Sequence, residues 1–201
     1  MANIIIVTAP SGVGKSTILK EVAAAGLFSF SVSVTTRAPR AGEVDGKDYF
    51  FVTEEQFLNL EKSHAFVETA TVFGHHYGTL KQEVERLSAL QVPVLLELDI
   101  QGTLLAKKHY PDATIILIAP PSFAELSSRL TRRATENEDV IHKRLSEAKA
   151  HISAGLEIAD FVLVNEELQR ATHDFSTLIK AHCLRTSLFL QDGKKNLEDF
   201  L

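Results

Sequence analysis

Ala9-Pro10-Ser11-Gly12-Val13-Gly14-Lys15-Ser16-Thr17 follows a β-branched run at residues 4–7 and leads into Ile18-Leu19-Lys20-Glu21-Val22-Ala23. An apolar run, a glycine-containing loop, Lys-Ser and a helix-forming segment, in that order, make the setting of a phosphate-binding loop. Gly12 and Gly14 permit backbone conformations closed to residues with a Cβ, so that successive N–H groups turn inward around an anion. The helix that follows directs the positive end of its dipole to the same place. In such a loop Lys15 reaches the β- and γ-phosphates and the Ser16 hydroxyl sits on Mg²⁺. The general pattern opens with glycine where this chain has Ala9, a change the loop accommodates if Ala9 keeps a negative φ. The plainer alternative is a glycine turn ahead of a surface helix.

The chain's 201 residues suit one domain with inserted lobes. Its 45% hydrophobic and 23% charged content is that of an ordinary soluble globular protein. A formal net charge of -5 gives no reason to expect a nucleic-acid or membrane surface. The single cysteine, Cys183, cannot form an intrachain disulfide and fits a reducing compartment. The apolar run at residues 4–7 is too short for a signal peptide or a membrane span. The expected location is cytoplasmic.

Residues 4–7 read as a strand buried on both faces of a parallel sheet, and residues 92–98, 114–118 and 161–164 read as further strands. Residues 16–25, 101–109, 122–133, 140–155 and 167–184 read as the helices between them, with Gly26 stopping the first and Ser122 capping the third. Residues 27–34 alternate apolar and small polar side chains and read as one further strand. The next stretch, residues 35–48, is charged, contains Gly and Pro, and is too long for a mere connection. After it come a short strand at 49–52 and a helix at 54–62, with Thr53 and Gln56 placed for a capping box. Two strands flank Gly74, and Thr79 starts a helix toward Leu90. Strands alternating with helices predict an α/β fold with right-handed crossovers. The texture changes between residues 35 and 79, which reads as an inserted lobe. Residues 191–201 suggest no element.

Ligands of open α/β sheets bind beyond the carboxyl ends of the strands. Past the second strand stand Arg37 and Arg40, with Tyr49 following. Two guanidinium forks beside a phenol suit a phosphomonoester dianion. Past the strand at 92–98 stands Asp99, with Glu97 two residues earlier, placed either for the Mg²⁺ shell or for a substrate donor. Arg129, Arg132 and Arg133, then Lys143 and Arg144, flank a polar break and suit a lid over transferring phosphates. A solvated helix face is the alternative for that cluster, and ordinary loop charge is the alternative for Arg37 and Arg40. His75 and His76 are adjacent on a strand and point to opposite faces, which speaks against a metal site. Cys183 reads as a packing residue.

The stretches Ala9 to Thr17, Ser31 to Glu43 (SVSVTTRAPRAGE), Gly46-Lys47-Asp48-Tyr49, Glu68, His76-Tyr77-Gly78-Thr79, Glu97 to Gly102 (ELDIQG), Ile118 to Ser122 and Val164-Asn165 together resemble the bacterial-type guanylate kinases along nearly the whole chain. The string TTRxPRxGExxGxDY is far more specific than the phosphate loop. The resemblance implies a three-layer P-loop NTPase core with a parallel sheet, an inserted GMP-binding α+β lobe and a helical lid. Its bounds here are a core of about 1–33, 80–125 and 147–201, a lobe of about 34–79 and a lid of about 126–146. It implies transfer of a phosphoryl group from ATP to GMP with Mg²⁺, the metal resting on Ser16.

By the same resemblance, Ala9, Pro10, Ser11, Gly12, Val13, Gly14, Lys15, Ser16, Thr17, Arg129, Arg133 and Asn165 bind ATP, with Asn165 near adenine. Arg37, Arg40, Tyr49 and Tyr77 hold the GMP phosphate; Ser33, Glu68, Thr79 and Asp99 read guanine; Glu43, Glu97 and Arg144 complete that set. Lys15, Arg37, Arg133 and Arg144 are the catalytic set. The base chemistry agrees: guanine presents N1–H and N2–H₂ side by side, and one carboxylate accepts both, whereas adenine leaves it unpaired. Three departures accompany the match: Ala9 for glycine, Glu97 where some relatives carry Asp, and Ala134 for a lid glycine found in many relatives. Two other readings compete. A silent module of this fold that binds a phosphopeptide is disfavoured by Lys15, Ser16 and Arg133. A same-fold kinase for a phosphorylated sugar is disfavoured by Glu68 and Thr79, which a sugar phosphate does not need.

Overall fold

The computed structural model describes residues 3–72, 74–90, 92–132 and 138–185. Five parallel strands form the central sheet: β1 (Ile4–Thr8), β2 (Ser29–Phe30), β7 (Val94–Glu97), β8 (Thr114–Ala119) and β9 (Phe161–Val164), in the order β2-β7-β1-β8-β9. Every residue of β1 and β8 is buried, which is why neither run alternates. Successive side chains of β1 feed opposite faces. Ile5 and Val7 pack with Ile18, Leu19 and Val22 of α1 (Lys15–Ala23) and with Phe175 and Ile179 of α7 (Leu168–Cys183). Ile4 and Ile6 pack instead with Val84 and Leu87 of α3 (Lys81–Ser88) and Ala106 of α4 (Ile100–His109). Helices cover both faces, giving the three layers of an α/β fold of the P-loop NTPase type.

A second, four-stranded sheet is built from β3 (Val34–Thr35), β4 (Phe50–Phe51), β5 (Phe66–Val72) and β6 (His75–Leu80), in the order β4-β3-β6-β5. Phe57 of α2 (Glu54–Lys62) packs with Val34 and Phe66 beneath it. Thr53 and Gln56 form the expected capping box at the start of α2, each side chain bonding the other's backbone N–H. Beyond β8, the helices α5 (Phe123–Arg132) and α6 (Glu138–Ile158) pack through Leu126, Leu130 and Ala148. The Ser122 hydroxyl accepts the Glu125 N–H at the start of α5.

Three expectations need correction. Cys183, read as a packing residue, is exposed at the end of α7. The run at 27–34 is not one strand. Ser29–Phe30 pairs with β7, the Ser31 N–H makes a last bond to the Leu95 carbonyl, and the chain then crosses to the other sheet, where Val34 and Thr35 pair with β6. Alternation is the same in either sheet, so it does not reveal the crossing. Thr79 does not start a helix either. The strand continues to Leu80, α3 begins at Lys81, and the Thr79 hydroxyl donates to Glu68. Among the described residues, no helix is long and apolar enough to cross a membrane.

Candidate active site

β1 delivers the chain to the phosphate loop at the carboxyl edge of the sheet. Gly12 and Gly14 both take left-handed backbone conformations, φ 86° and 94°. A Cβ at Gly12 would lie 2.7 Å from Leu130 Cδ2, and one at Gly14 would lie 2.6 Å from Asn165 Nδ2. Both positions therefore need glycine twice over, for conformation and for space. Gly14 also occupies the N-cap of α1, where no side chain caps the helix, which suits its first-turn N–H groups to an anion. Ala9 has no positive φ and packs its methyl into the core, so the departure from glycine costs the loop nothing.

The loop is braced from three sides. Asn165, buried just after β9, donates from Nδ2 to the Val13 carbonyl at 2.7 Å. Arg129 on α5 pairs with Glu125 at 3.0 Å and donates from Nη1 to the Asn165 carbonyl at 3.2 Å. Arg144 on α6 donates from Nη2 to Ser11 Oγ at 2.8 Å. A cavity of about 370 Å³ opens beside the loop between Gly12, Gly14, Thr17, Arg129, Asn165, Glu166 and Leu168. Arg133 and Ala134 lie outside the described residues.

Lys15 projects across the edge of the sheet and pairs with Glu97 at the end of β7, Nζ to Oε1 3.1 Å. Beyond Glu97 stands the arginine–tyrosine cluster. Arg37 donates from Nη2 to Glu43 Oε1 at 2.8 Å and from Nη1 to the Ala38 carbonyl at 2.7 Å, and its guanidinium lies 5.4 Å from the Tyr49 ring centre. The Tyr49 and Tyr77 rings meet edge to face at 5.9 Å. Burial first, then the Glu97 carboxylate, raises the Tyr49 pKa, so the phenol keeps its proton. The second oxygen of Glu43 accepts the Arg40 N–H at 2.7 Å. Glu43 thus fixes the arginine loop from both of its oxygens. The Arg37 hydrogen bond is the largest cause holding its carboxyl below the ordinary range.

Farther out, β5 and β6 set Glu68 opposite Thr79. The register shifts between Phe66 and Glu68, a local irregularity of the kind that re-aims a side chain. Thr79 Oγ1 donates to Glu68 Oε1 at 2.7 Å. The other carboxylate oxygen approaches Gly102 so closely that a Cβ there would sit 2.8 Å from it. Asp99 caps α4, accepting the Gly102 N–H on Oδ1 at 2.6 Å, and its charge acts on Glu68. Burial is the largest cause raising the Glu68 pKa, to about 6; Asp99 adds to it and the Thr79 hydrogen bond opposes it. Ser33 lies on the link from β2 to β3, with its carbonyl accepting the Phe50 N–H.

The shifted carboxyl has a consequence for stability. Between an ordinary value of 4.5 and about 6, the folded chain binds more protons at Glu68 than the unfolded chain does. Stability from this group is therefore highest at low pH and is lost as pH rises through that window, by about 2 kcal/mol. The difference in melting temperature between Glu68→Gln and the unmodified protein is expected to grow in the variant's favour from pH 4.5 to pH 6.5. A flat difference would contradict the burial argument.

Those sequence-predicted residues that the structure describes thus gather as two half-sites joined by Glu97. Five parts went unread in sequence: the Asn165 brace, Glu166 and Leu168 in the cavity, the close approach at Gly102, and His151 on α6 against Thr8. Only Gly102 carried a local signal, a glycine inside a helix. His76 stacks on Phe57 and its ring meets Thr71, and among the described residues no group of three or more metal-binding side chains comes together.

A glycine-walled phosphate cradle on an α/β core, facing an arginine–tyrosine cluster, defines a kinase of the P-loop type. The family model described as guanylate kinase matches residues 1–182. The guanylate kinase of Neisseria meningitidis is 43% identical over 187 residues, covering 92% of this chain and 90% of that one. That of Shewanella denitrificans is 44% identical over 179 residues, with 88% and 86% covered. The crystal structure of guanylate kinase from Anaplasma phagocytophilum superimposes with a TM-score of 0.74 at 33% identity, covering 92% and 88% of the two chains. The chain belongs to the guanylate kinase family.

Proposed function

We propose that this protein transfers the γ-phosphoryl group of ATP to the phosphate of GMP, giving ADP and GDP. The observation that carries the choice of acceptor is Glu68: a buried carboxylate, held on one oxygen by Thr79, beyond the Arg37–Tyr49–Tyr77 cluster from the phosphate loop. A guanine placed there supplies two N–H groups to a carboxylate that burial otherwise penalises. The division of labour is core for the donor, the second sheet for the acceptor, and α5 with the start of α6 as lid.

Phosphoryl transfer here needs alignment and charge neutralisation more than proton removal, because the attacking oxygen belongs to an ionised phosphate. That oxygen forms a bond to the γ-phosphorus while the bond to the β–γ bridging oxygen breaks, and ADP leaves. Arg37, Arg40, Tyr49 and Tyr77 hold the acceptor phosphate. Lys15 exchanges its Glu97 partner for phosphate oxygens, and Arg129, Arg133 and Arg144 offset the charge from the lid side. The described residues offer no carboxylate cage for a metal, only the Ser16 hydroxyl on the first turn of α1 with Glu97 beside Lys15. That donor set fits Mg²⁺, which binds through few protein atoms and keeps water and phosphate oxygens. When bound at Ser16, Mg²⁺ neutralises charge on the β- and γ-phosphates. The protein is expected to act in the cytoplasm.

ADP release measured with GMP, AMP, UMP and ribose 1,5-bisphosphate as acceptors tests the reading. Turnover with GMP far above the rest is expected; none with GMP would remove it, and a preference for the bisphosphate would favour the sugar kinase.

A further inference from the structure

Helix α6 lays Arg144, Ala148, His151 and Gly155 along one stripe, at the 4-3-4 spacing of a helix face. Gly155 sits so close to β8 that a Cβ would lie 2.8 Å from Leu117 Cδ1, and Ala148 is buried against α5. The other two positions reach the phosphate loop and its root. Arg144 donates to Ser11 Oγ at 2.8 Å, and His151 Nε2 lies 2.9 Å from Thr8 Oγ1. Thr8 is the last residue of β1, fully buried, and adjoins Ala9. His151 also feels the Lys15 ammonium and the Asp99 carboxylate. Burial first, then Lys15, lowers its pKa to about 4 against the opposing pull of Asp99, so the ring is neutral at neutral pH and adds no cation beside Lys15.

We propose that His151 is a positioning residue for phosphoryl transfer: through Thr8 it fixes the register of α6 against the root of the phosphate loop, and with it the reach of Arg144. The inference rests on the phosphotransfer reading above. His151 stands seven helical steps from Arg144, about 10 Å of rise. A tilt of about 10° at His151 would carry the Arg144 backbone about 2 Å, and misplacements of about 1 Å are enough to cost positioned chemistry up to 10²-fold. The bond joins residues 143 positions apart and ties the side chains of this stripe to β1.

Steady-state kinetics of Thr8→Val, His151→Ala, His151→Gln and the double variant Thr8→Val/His151→Ala test the role. Thr8→Val and His151→Ala are each expected to lower kcat/KM for ATP about five- to tenfold with KM for GMP within about twofold. The double variant should fall no lower than either single one, and His151→Gln, which keeps a hydrogen-bonding group, should recover most of the loss. Thr8→Val preserves shape, so it decides the matter even if His151→Ala folds poorly. An unmodified chain that turns over GMP, with Thr8→Val kinetically equal to it, would overturn the role of His151 alone. Losses that multiply in the double variant would overturn it too. No turnover by the unmodified chain would remove the phosphotransfer reading and this inference together.

Discussion

Lys15→Met is expected to lower turnover at saturating ATP and GMP by about 10²–10³-fold while the protein stays folded. The methionine keeps roughly the length of the lysine stem but loses the one ammonium that the loop projects toward the Glu97 side. That ammonium is the charge which follows the γ-phosphoryl through the transition state, so its loss falls on the chemical step. The cost to folding is small because the pair is open to water, the Lys15 side chain one-fifth exposed (20%) and Glu97 two-fifths (40%). Exposed pairs contribute about 0–1 kcal/mol, and water solvates the freed carboxylate. Turnover assays beside a thermal melt check both halves of the prediction. Near-normal turnover would contradict the assignment of Lys15; a collapse of the melt would contradict the account of the ion pair.

Glu68→Gln is expected to lower kcat/KM for GMP by about 10²–10⁴-fold and leave KM for ATP within about twofold. The carboxylate offers acceptors to both guanine donors, whereas the amide turns an NH₂ toward one of them and leaves two donors facing each other in a buried site. The fold should tolerate the change well. The amide oxygen still accepts the Thr79 hydroxyl, and removing a charge that burial penalises offsets what the weaker hydrogen bond loses. Activity falls while stability at neutral pH is kept or raised, the pattern of a group retained for recognition. Equal losses for GMP and ATP would show that Glu68 serves the fold or the donor, not guanine.

What could be read in the sequence follows the range of the interactions concerned. The phosphate loop, the Thr53–Gln56 capping box, the buried strands β1 and β8 and the edge strand β9, which buries only Leu163, are local patterns, set within a few residues, and they appear in the structure where the sequence places them. Thr79 reads in sequence as the start of a helix, but it closes the strand beside β5, where a carboxylate eleven residues back takes its hydroxyl. The chain's crossing at Ser31 changes sheets without changing its alternation. The Asn165 amide meets Val13 across 152 residues, and His151 meets Thr8 across 143, distances at which no periodicity operates. Glu97 shows the middle case. Its place at the end of a strand was legible as a site position, whereas its pairing with Lys15 needed the register of β1 beside β7. Family resemblance supplied the acceptor's identity; the residues alone supplied a triphosphate cradle, a phosphomonoester clamp and the carboxylates.

Transfer of label from [γ-³²P]ATP in the presence of GMP tests the central claim most directly, since it separates phosphoryl transfer from hydrolysis. The account predicts label recovered in GDP, mole for mole with the ADP formed and dependent on GMP. Label appearing as inorganic phosphate at a rate indifferent to GMP would contradict it.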